Sequence, residues 1–234
     1  MKWALATAGL VLAGSVLAAP AGAATIYQND FEGGSTAGFS AGTIQIAPGD
    51  GEHFLGIFSG GSSTDLTVSG LSGYSEISIS FSLYALGSLD GSGIGNCCGP
   101  DYFKVTYNTT TELMNDTFSN NASWQQTHGG AGSPGGTGSN PGETGQLGYD
   151  ATYGPDHTYL LSFNNLAVTG GSALISFFGD SSQAWTDEGF GIDNIMVSAV
   201  GTVPIPAALP LFASGLVALG WVGRRQRKRA AATA

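Results

Sequence analysis

Basic residues are scarce: only 7 of 234 residues are Lys or Arg. Lys2 stands at the start, Arg224, Arg225, Arg227, Lys228 and Arg229 crowd the end, and Lys104 is alone between them. All 17 acids lie within residues 24–202, so one cation against 17 carboxylates leaves that segment at −16. Such a surface excludes nucleic acid and anionic lipid as partners, and suits divalent cations, a saline medium or simple solubility. Cysteine is nearly absent as well. Cys97 and Cys98 are the only two and they are adjacent, with Cα atoms about 3.8 Å apart, below the spacing of an ordinary disulfide. That excludes a disulfide framework and leaves free thiols, a vicinal bridge or an intermolecular bond open. Without a neighbouring His the pair is a poor zinc site. No long segment carries a helical apolar stripe, which argues against helical bundles and α/β folds. A hydrophobic fraction of 42% argues against a disordered chain.

The two ends are explicit. Lys2 followed by the apolar run Trp3 to Leu17 and the small-x-small triplet Ala21-Gly22-Ala23 predicts a secretory signal over residues 1–23, cut by signal peptidase. At the other end Val203-Pro204-Ile205-Pro206-Ala207 precedes an uncharged apolar run to Gly223. The 17 residues from Ala207 to Gly223 span about 26 Å as a helix, close to a bilayer core of about 30 Å. Arg224, Arg225, Arg227, Lys228 and Arg229 then form a basic stop that stays cytoplasmic. The expected orientation is N-outside and C-inside.

Val-Pro-x-Pro-Ala, a hydrophobic helix and an Arg-rich end together resemble the VPLPA variant of the PEP-CTERM sorting signal over residues 203–229, with Ile205 in place of the usual Leu. The resemblance implies an exosortase or archaeosortase-type membrane protease as partner. It further implies transient anchoring in the inner membrane of a Gram-negative bacterium, and a final place at the cell surface or in an exopolysaccharide matrix.

Between these ends, residues 24–202 read as one domain. Glu76–Tyr84 alternates strictly, with Ile77, Ile79, Phe81 and Leu83 on one face and Ser78, Ser80, Ser82 and Tyr84 on the other, as in a half-buried antiparallel strand. Further strands are expected at 25–31, 43–46, 53–58, 65–68, 102–107, 112–118, 159–168, 172–178 and 189–198, separated by Gly, Ser, Asn and Asp turns. The predicted fold class is all-β, an antiparallel sandwich. Residues 129–148, mostly Gly, Ser, Thr, Pro and Asn, read as a long mobile loop within it.

Candidate site residues sit at the ends of this domain. Asn29-Asp30-Phe31-Glu32-Gly33-Gly34 opens it, and Asp187-Glu188-Gly189-Phe190-Gly191-Ile192-Asp193-Asn194-Ile195 closes it. Apolar parity slips between Ile192 and Ile195, which predicts a bulge at Asp193-Asn194. If the first and last strands meet there, their carboxylates form a hard-oxygen site suited to calcium; the alternative is acids that cap turns and face water. The two end motifs resemble jelly-roll domains of the galactose-binding-like kind found in carbohydrate-binding modules. Asp90-Gly91 and Gly99-Pro100-Asp101-Tyr102-Phe103 resemble a recurrent bacterial extracellular sandwich. The resemblance implies a jelly roll with a structural Ca²⁺ held by Glu32 and Asp193, with Asp30 next. The Asp90–Asp101 loop is a weaker cation candidate against a plain surface loop. Trp185, in a polar stretch, is the candidate for stacking on a sugar ring; Trp124, Tyr84, Tyr149 and Tyr153 are alternatives that a sandwich more often buries.

Two enzyme readings are weak. Gly38-Phe39-Ser40-Ala41-Gly42 matches a nucleophile elbow, but Thr43–Ile46 continues as strand where that motif needs a helix, and His53, His128 and His157 have no fitting context. A glycosidase needs two carboxylates at a set separation, and with 17 acids the sequence does not single out a pair. The expected function is therefore non-enzymatic: an exported surface or matrix module, calcium-stabilised and glycan-binding. A ligand-free structural surface protein and a polysaccharide hydrolase are the alternatives.

Overall fold

The computed structural model describes residues 23–93, 98–149, 154–184 and 186–201. The signal, the Val203–Ala207 motif, the membrane segment and the basic stop lie outside the described residues, as do Cys97 and Trp185. The described residues belong to one compact unit, Gly22–Thr202.

The unit is an antiparallel β-sandwich of the jelly-roll class with no helix among the described residues. Its strands are β1 (Ala24–Asn29), β2 (Thr43–Ile46), β3 (His53–Phe58), β4 (Ser62–Ser69), β5 (Tyr74–Gly87), β6 (Tyr102–Tyr107), β7 (Thr111–Thr117), β8 (Gln125–Gln126), β9 (Ser133–Pro134), β10 (His157–Ala167), β11 (Ser172–Asp180) and β12 (Glu188–Gly201). One sheet runs β10-β5-β12-β3-β2 and the other β4-β11-β6-β7, while β8 and β9 form a two-stranded ribbon. Strand β1 joins the larger sheet by pairing with β12 through Ile195–Ala199, beyond the point where β3 leaves β12 at Ile192. First and last strands therefore meet, and Asp193-Asn194 sits at the changeover.

Period-two alternation builds the core. Ile77, Ile79, Phe81 and Leu83 of β5 are all fully buried, and the inner face of the opposite sheet supplies Phe103, Val105, Ile175 and Phe177. Phe81 meets Phe177 edge-to-face at 5.2 Å between ring centroids, the offset geometry that aromatic quadrupoles favour. On β12, Phe190 and Ile192 point inward, and so do Ile195 and Val197. That parity is kept because the pairing with β5 gains one residue between Asp193 and Met196. Asn194 absorbs it at φ 50°, a left-handed conformation that Asn tolerates better than most residues.

A second, smaller cluster covers one end of the larger sheet's outer face. Phe54, Tyr84 and Leu86 pack there with Ala47 and Leu147. Gly191 leaves room for it: a Cβ at that position would lie 2.4 Å from Phe54 Cδ2. Leu147 belongs to the Gly-rich segment 129–148, which differs from the mobile loop expected. Its backbone is tied down. Leu147 O accepts from Gly49 N at 2.8 Å, Asn140 N donates to Thr158 O at 2.8 Å, and Gly136 N donates to Ser119 O at 2.9 Å. The buried Gln126 anchors it further: Nε2 donates to His128 O and Thr137 O, and Oε1 accepts from Ser119 N and Gly136 N. Backbone hydrogen bonds fix this segment where side-chain burial alone would not.

Candidate metal centre and the cleft on the larger sheet

Among the described residues, one group of three acids has the geometry of a metal site. Asp90, Asp101 and Glu188 each bring a carboxylate oxygen within 4.8 Å of the others, and all three are buried. Three chain segments converge to place them. Asp90 follows the end of β5, Asp101 precedes β6, and Glu188 opens β12. Asp101, with no exposed surface, is a tie point between loops: its Oδ2 accepts from Asp90 N, and its Oδ1 from Ser182 N at 3.4 Å. Glu188 Oε1 accepts from Gln183 N at 2.9 Å, and Gln183 Nε2 donates to Asp90 Oδ2 at 3.4 Å. Glu188 Oε2 is buried and accepts from nothing.

The electrostatics are those of three buried carboxylates brought close together. Burial raises Asp101 to about 7 and Glu188 to about 8, with the Asp90 charge adding to the first and the Asp101 charge to the second, and burial raises Asp90 as well. The charges acting on Glu188 are those of Asp101, Asp90 and Asp187. Lys104, the one Lys of the domain, lies over the Phe178 ring 5.0 Å from its centroid. Such a group either holds protons or takes a cation. Its donors are all hard oxygens, which fit a hard divalent ion. A cleft of about 230 Å³ lined by Glu188, Asp187, Gly87 and Tyr149 gives an approach. The triad can hold a metal ion.

The Asp90–Asp101 loop, the weaker cation candidate in the sequence, supplies two of these acids; the residues expected from the two end motifs are placed otherwise. Asp30 and Glu32 are exposed on the turn after β1. Asp30 Oδ1 accepts from Glu32 N, while Glu32 Oε1 accepts from His53 N at 2.8 Å and Oε2 lies 3.5 Å from His53 Nδ1. Phe31 between them is fully buried, so this motif plugs the core. Asp193 has no exposed surface and faces away from the core, where its Oδ2 accepts from Tyr84 Oη at 2.8 Å and Asn194 Nδ2 at 2.9 Å. Its Oδ1 is buried and accepts from nothing. The structure does not gather Glu32, Asp30 and Asp193 into one ligand set. Cys98 is disulfide-bonded, so it is not a free thiol. Tyr84 and Tyr149 pack edge-to-face on Phe54; Tyr84 is buried and offers no platform, while Tyr149 is half-buried. Ser40 makes no elbow: its Oγ accepts from Asp65 N and strand β2 follows.

A second feature lies on the outer face of the larger sheet. Asp50, Glu52 and Glu143 line a cleft of about 380 Å³ over Ser82, Tyr84 and Asn194. It continues past Leu160, Ser80 and Ser162 into a shallower groove of about 290 Å³. Asp193 sits beneath: its carboxyl group contacts that of Glu52, and burial raises it to about 7.

No known protein family's description matches the chain, and no curated protein matches its sequence. Among solved structures it is similar to a family GH115 4-O-methyl-α-glucuronidase with specificity for decorated arabinogalactans (13% identity, TM-score 0.36, 77% of this chain and 19% of that one). It is also similar to the CBM22-1 xylan-binding domain of Paenibacillus barcinonensis Xyn10C (14%, TM-score 0.37, 80% and 100%). A third similar structure is CBM28, a module specific for non-crystalline cellulose (15%, TM-score 0.36, 75% and 94%). The chain thus spans less than a fifth of the glucuronidase, matching 19% of its length. Likeness this distant carries no ligand or activity across.

Proposed function

We propose that the chain is an exported, non-enzymatic module of the cell surface or extracellular matrix, whose sandwich is completed by Ca²⁺ and whose outer cleft meets glycan. The observation that carries the reading is the buried Asp90–Asp101–Glu188 triad, whose ligand oxygens, one from each acid, all lie within 4.8 Å of one another. Calcium fits it best because all donors are oxygens and calcium accepts irregular sets of six to eight of them. Magnesium would demand a near-octahedral shell with retained waters, for which a buried carboxylate cluster is poorly suited. Bound there, the ion neutralises three carboxylates and ties the β5–β6 connection to the start of β12. The signal at 1–23 and the motif from Val203 to Ala207, with its helix and basic stop, direct export. An exosortase-type protease then cuts near the motif and leaves the domain at the surface of a Gram-negative cell.

Two experiments test this. Thermal unfolding of the full-length chain in detergent, with calcium against a chelator, reads the ion. A site filled at about 100 times its Kd adds about 2.7 kcal/mol; no shift rejects calcium. Replacing Pro204 and Pro206 with Ala in the native host should leave an uncut precursor in the inner membrane, and unchanged processing rejects the sorting reading. A hydrolase is the less supported alternative. Asp193, the acid with a raised pKa beside the cleft, has no exposed surface and is hydrogen-bonded to Tyr84, whereas a general acid must reach the substrate.

A further inference from the structure

The disulfide at Cys98 lies in the loop that supplies two of the triad's acids. Cys98 is disulfide-bonded, and Cys97, outside the described residues, is the chain's only other cysteine. The bond therefore joins neighbours in sequence. A disulfide stabilises a fold chiefly by closing a loop of the unfolded chain, and its effect grows with the length of that loop. A bond between neighbours closes only the small ring around their shared peptide, so it ties no distant segments together. What it fixes is the backbone on either side of that peptide.

That backbone leads straight into the metal centre. Only Gly99 and Pro100 separate Cys98 from Asp101. Gly99 lies flat against the other arm of the loop: a Cβ there would sit 3.0 Å from Gly93 N, 3.1 Å from Gly91 O and 3.2 Å from Asp90 Cβ. Next to it, Asp101 N donates to Gly91 O at 2.9 Å, and Asp101 Oδ2 accepts from Asp90 N. The opposite arm is held in turn by Ser92, whose N and Oγ both donate to Gln125 O. Asp90 and Asp101 thus take their positions from two loop arms in contact, and the bridge stands at the entrance to one of them. Cys98 itself is half-buried, so part of it faces solvent.

We propose that the Cys98 bridge is a redox switch on the calcium site. Closed, it holds the Asp90–Asp101 loop in the shape that receives the ion; opened by a dithiol, it lets the loop relax and weakens binding. The proposal rests on the reading that the triad takes Ca²⁺, and adds its regulation. In the opening step a thiolate of the dithiol attacks one sulfur of the bridge, the S–S bond breaks and a mixed disulfide forms. The second thiol of the reagent then displaces the protein sulfur. Two electrons and two protons pass to the protein, which ends with two thiols, and the dithiol leaves as a cyclic disulfide. Fixing the backbone of one residue again costs about five- to thirtyfold in affinity, so opening should weaken calcium binding about tenfold. Linkage makes the effect reciprocal. Calcium should make the bridge harder to reduce by the same factor, and tenfold is about 30 mV for a two-electron couple.

The test is calorimetric calcium titration of the full-length chain in detergent, before and after treatment with dithiothreitol. The double variant Cys97→Ser with Cys98→Ser serves as the bridge-free form. The oxidised protein should bind calcium about tenfold more tightly than the reduced protein. The double variant should bind like the reduced protein and ignore dithiothreitol. A redox titration should place the bridge's midpoint about 30 mV more negative once calcium is added. Melts in chelator should be the same for the two redox states, because the bridge closes no long loop. Equal calcium affinity in the two states, or a loss on dithiothreitol that the double variant shares, overturns the switch and leaves the calcium reading standing. A lower melt in chelator on reduction makes the bridge a staple of the fold and also overturns it. Absence of calcium binding in both states overturns the calcium reading and this inference with it.

Discussion

Replacing Glu188 with Gln should stabilise the ion-free protein at alkaline pH while abolishing its response to calcium. Glu188 goes from an ordinary 4.5 to about 8 in the fold, and Asp101 from 3.8 to about 7, burial being the larger cause for both. Both folded-state values lie above the unfolded ones. Between them the folded state holds protons that the unfolded state has lost, so ion-free stability is greatest at low pH and falls as pH rises toward 8. At about 1.4 kcal/mol per unit, a rise in this direction withholds on the order of a few kcal/mol from the ion-free fold above that window. In a domain of this size each kcal/mol moves the midpoint by about 2–4 °C, so the effect is on the order of 10 °C. Glutamine is nearly isosteric. Its oxygen keeps the bond from Gln183 N that Oε1 now accepts, and its amide supplies a donor where Oε2 has no partner. The assay is a thermal melt from about pH 5 to about pH 9 with calcium or chelator, a range that brackets both titrations. In chelator the unmodified midpoint should fall with pH and the Glu188→Gln midpoint should fall less, since the buried Asp101 still titrates in the variant. In calcium the unmodified midpoint should fall less with pH than in chelator, and the variant should gain nothing from the ion. If Glu188→Gln melts below the unmodified protein in chelator at alkaline pH, the carboxylates are not repelling one another and the reasoning fails.

Other outcomes follow from packing. Gly191→Ala places a Cβ 2.4 Å from Phe54 Cδ2 and should cost about 1–3 kcal/mol by denaturant unfolding. Phe177→Ala should cost about 3–5 kcal/mol, since its ring is buried against Phe39, Phe81 and Phe103. Asn194→Val should cost about 1–3 kcal/mol more than Asn194→Gly, because φ 50° at the bulge strains a β-branched residue, while both variants lose the bond from Asn194 Nδ2 to Asp193 Oδ2. Tyr84→Phe deprives Asp193 Oδ2 of one of its two donors and should cost about 1–3 kcal/mol.

The sandwich is legible in the sequence because strand alternation is a local signal. The alternation from Ile77 to Leu83 gives both the strand and its buried face. The parity slip at Asp193-Asn194 marks a bulge that the register confirms. The ordered state of 129–148 is not legible, because glycine backbone bonds such as Gly49 N to Leu147 O depend on how distant segments meet. The triad is hidden for a related reason. Asp90, Asp101 and Glu188 lie in three separate stretches of the chain, and only the folding of β5, β6 and β12 brings them together. The closest signal was the Asp90–Asp101 loop, the weaker cation candidate in the sequence, which supplies two of the three acids; Glu188 as the third carried no signal. Asp193 stood out because it sits at the bulge, but a bulge fixes where a side chain points and not which acids it meets. The cleft carboxylates Glu52 and Glu143 carried no pattern at all, since surface acids are common in so acidic a chain.

The most direct measurement is calcium titration calorimetry on the full-length chain in detergent, comparing the unmodified protein with Glu188→Gln and Asp193→Asn. One calcium site is expected, which Glu188→Gln abolishes and Asp193→Asn retains. Calcium binding that survives Glu188→Gln and is lost with Asp193→Asn would place the ion at the end strands and contradict the triad.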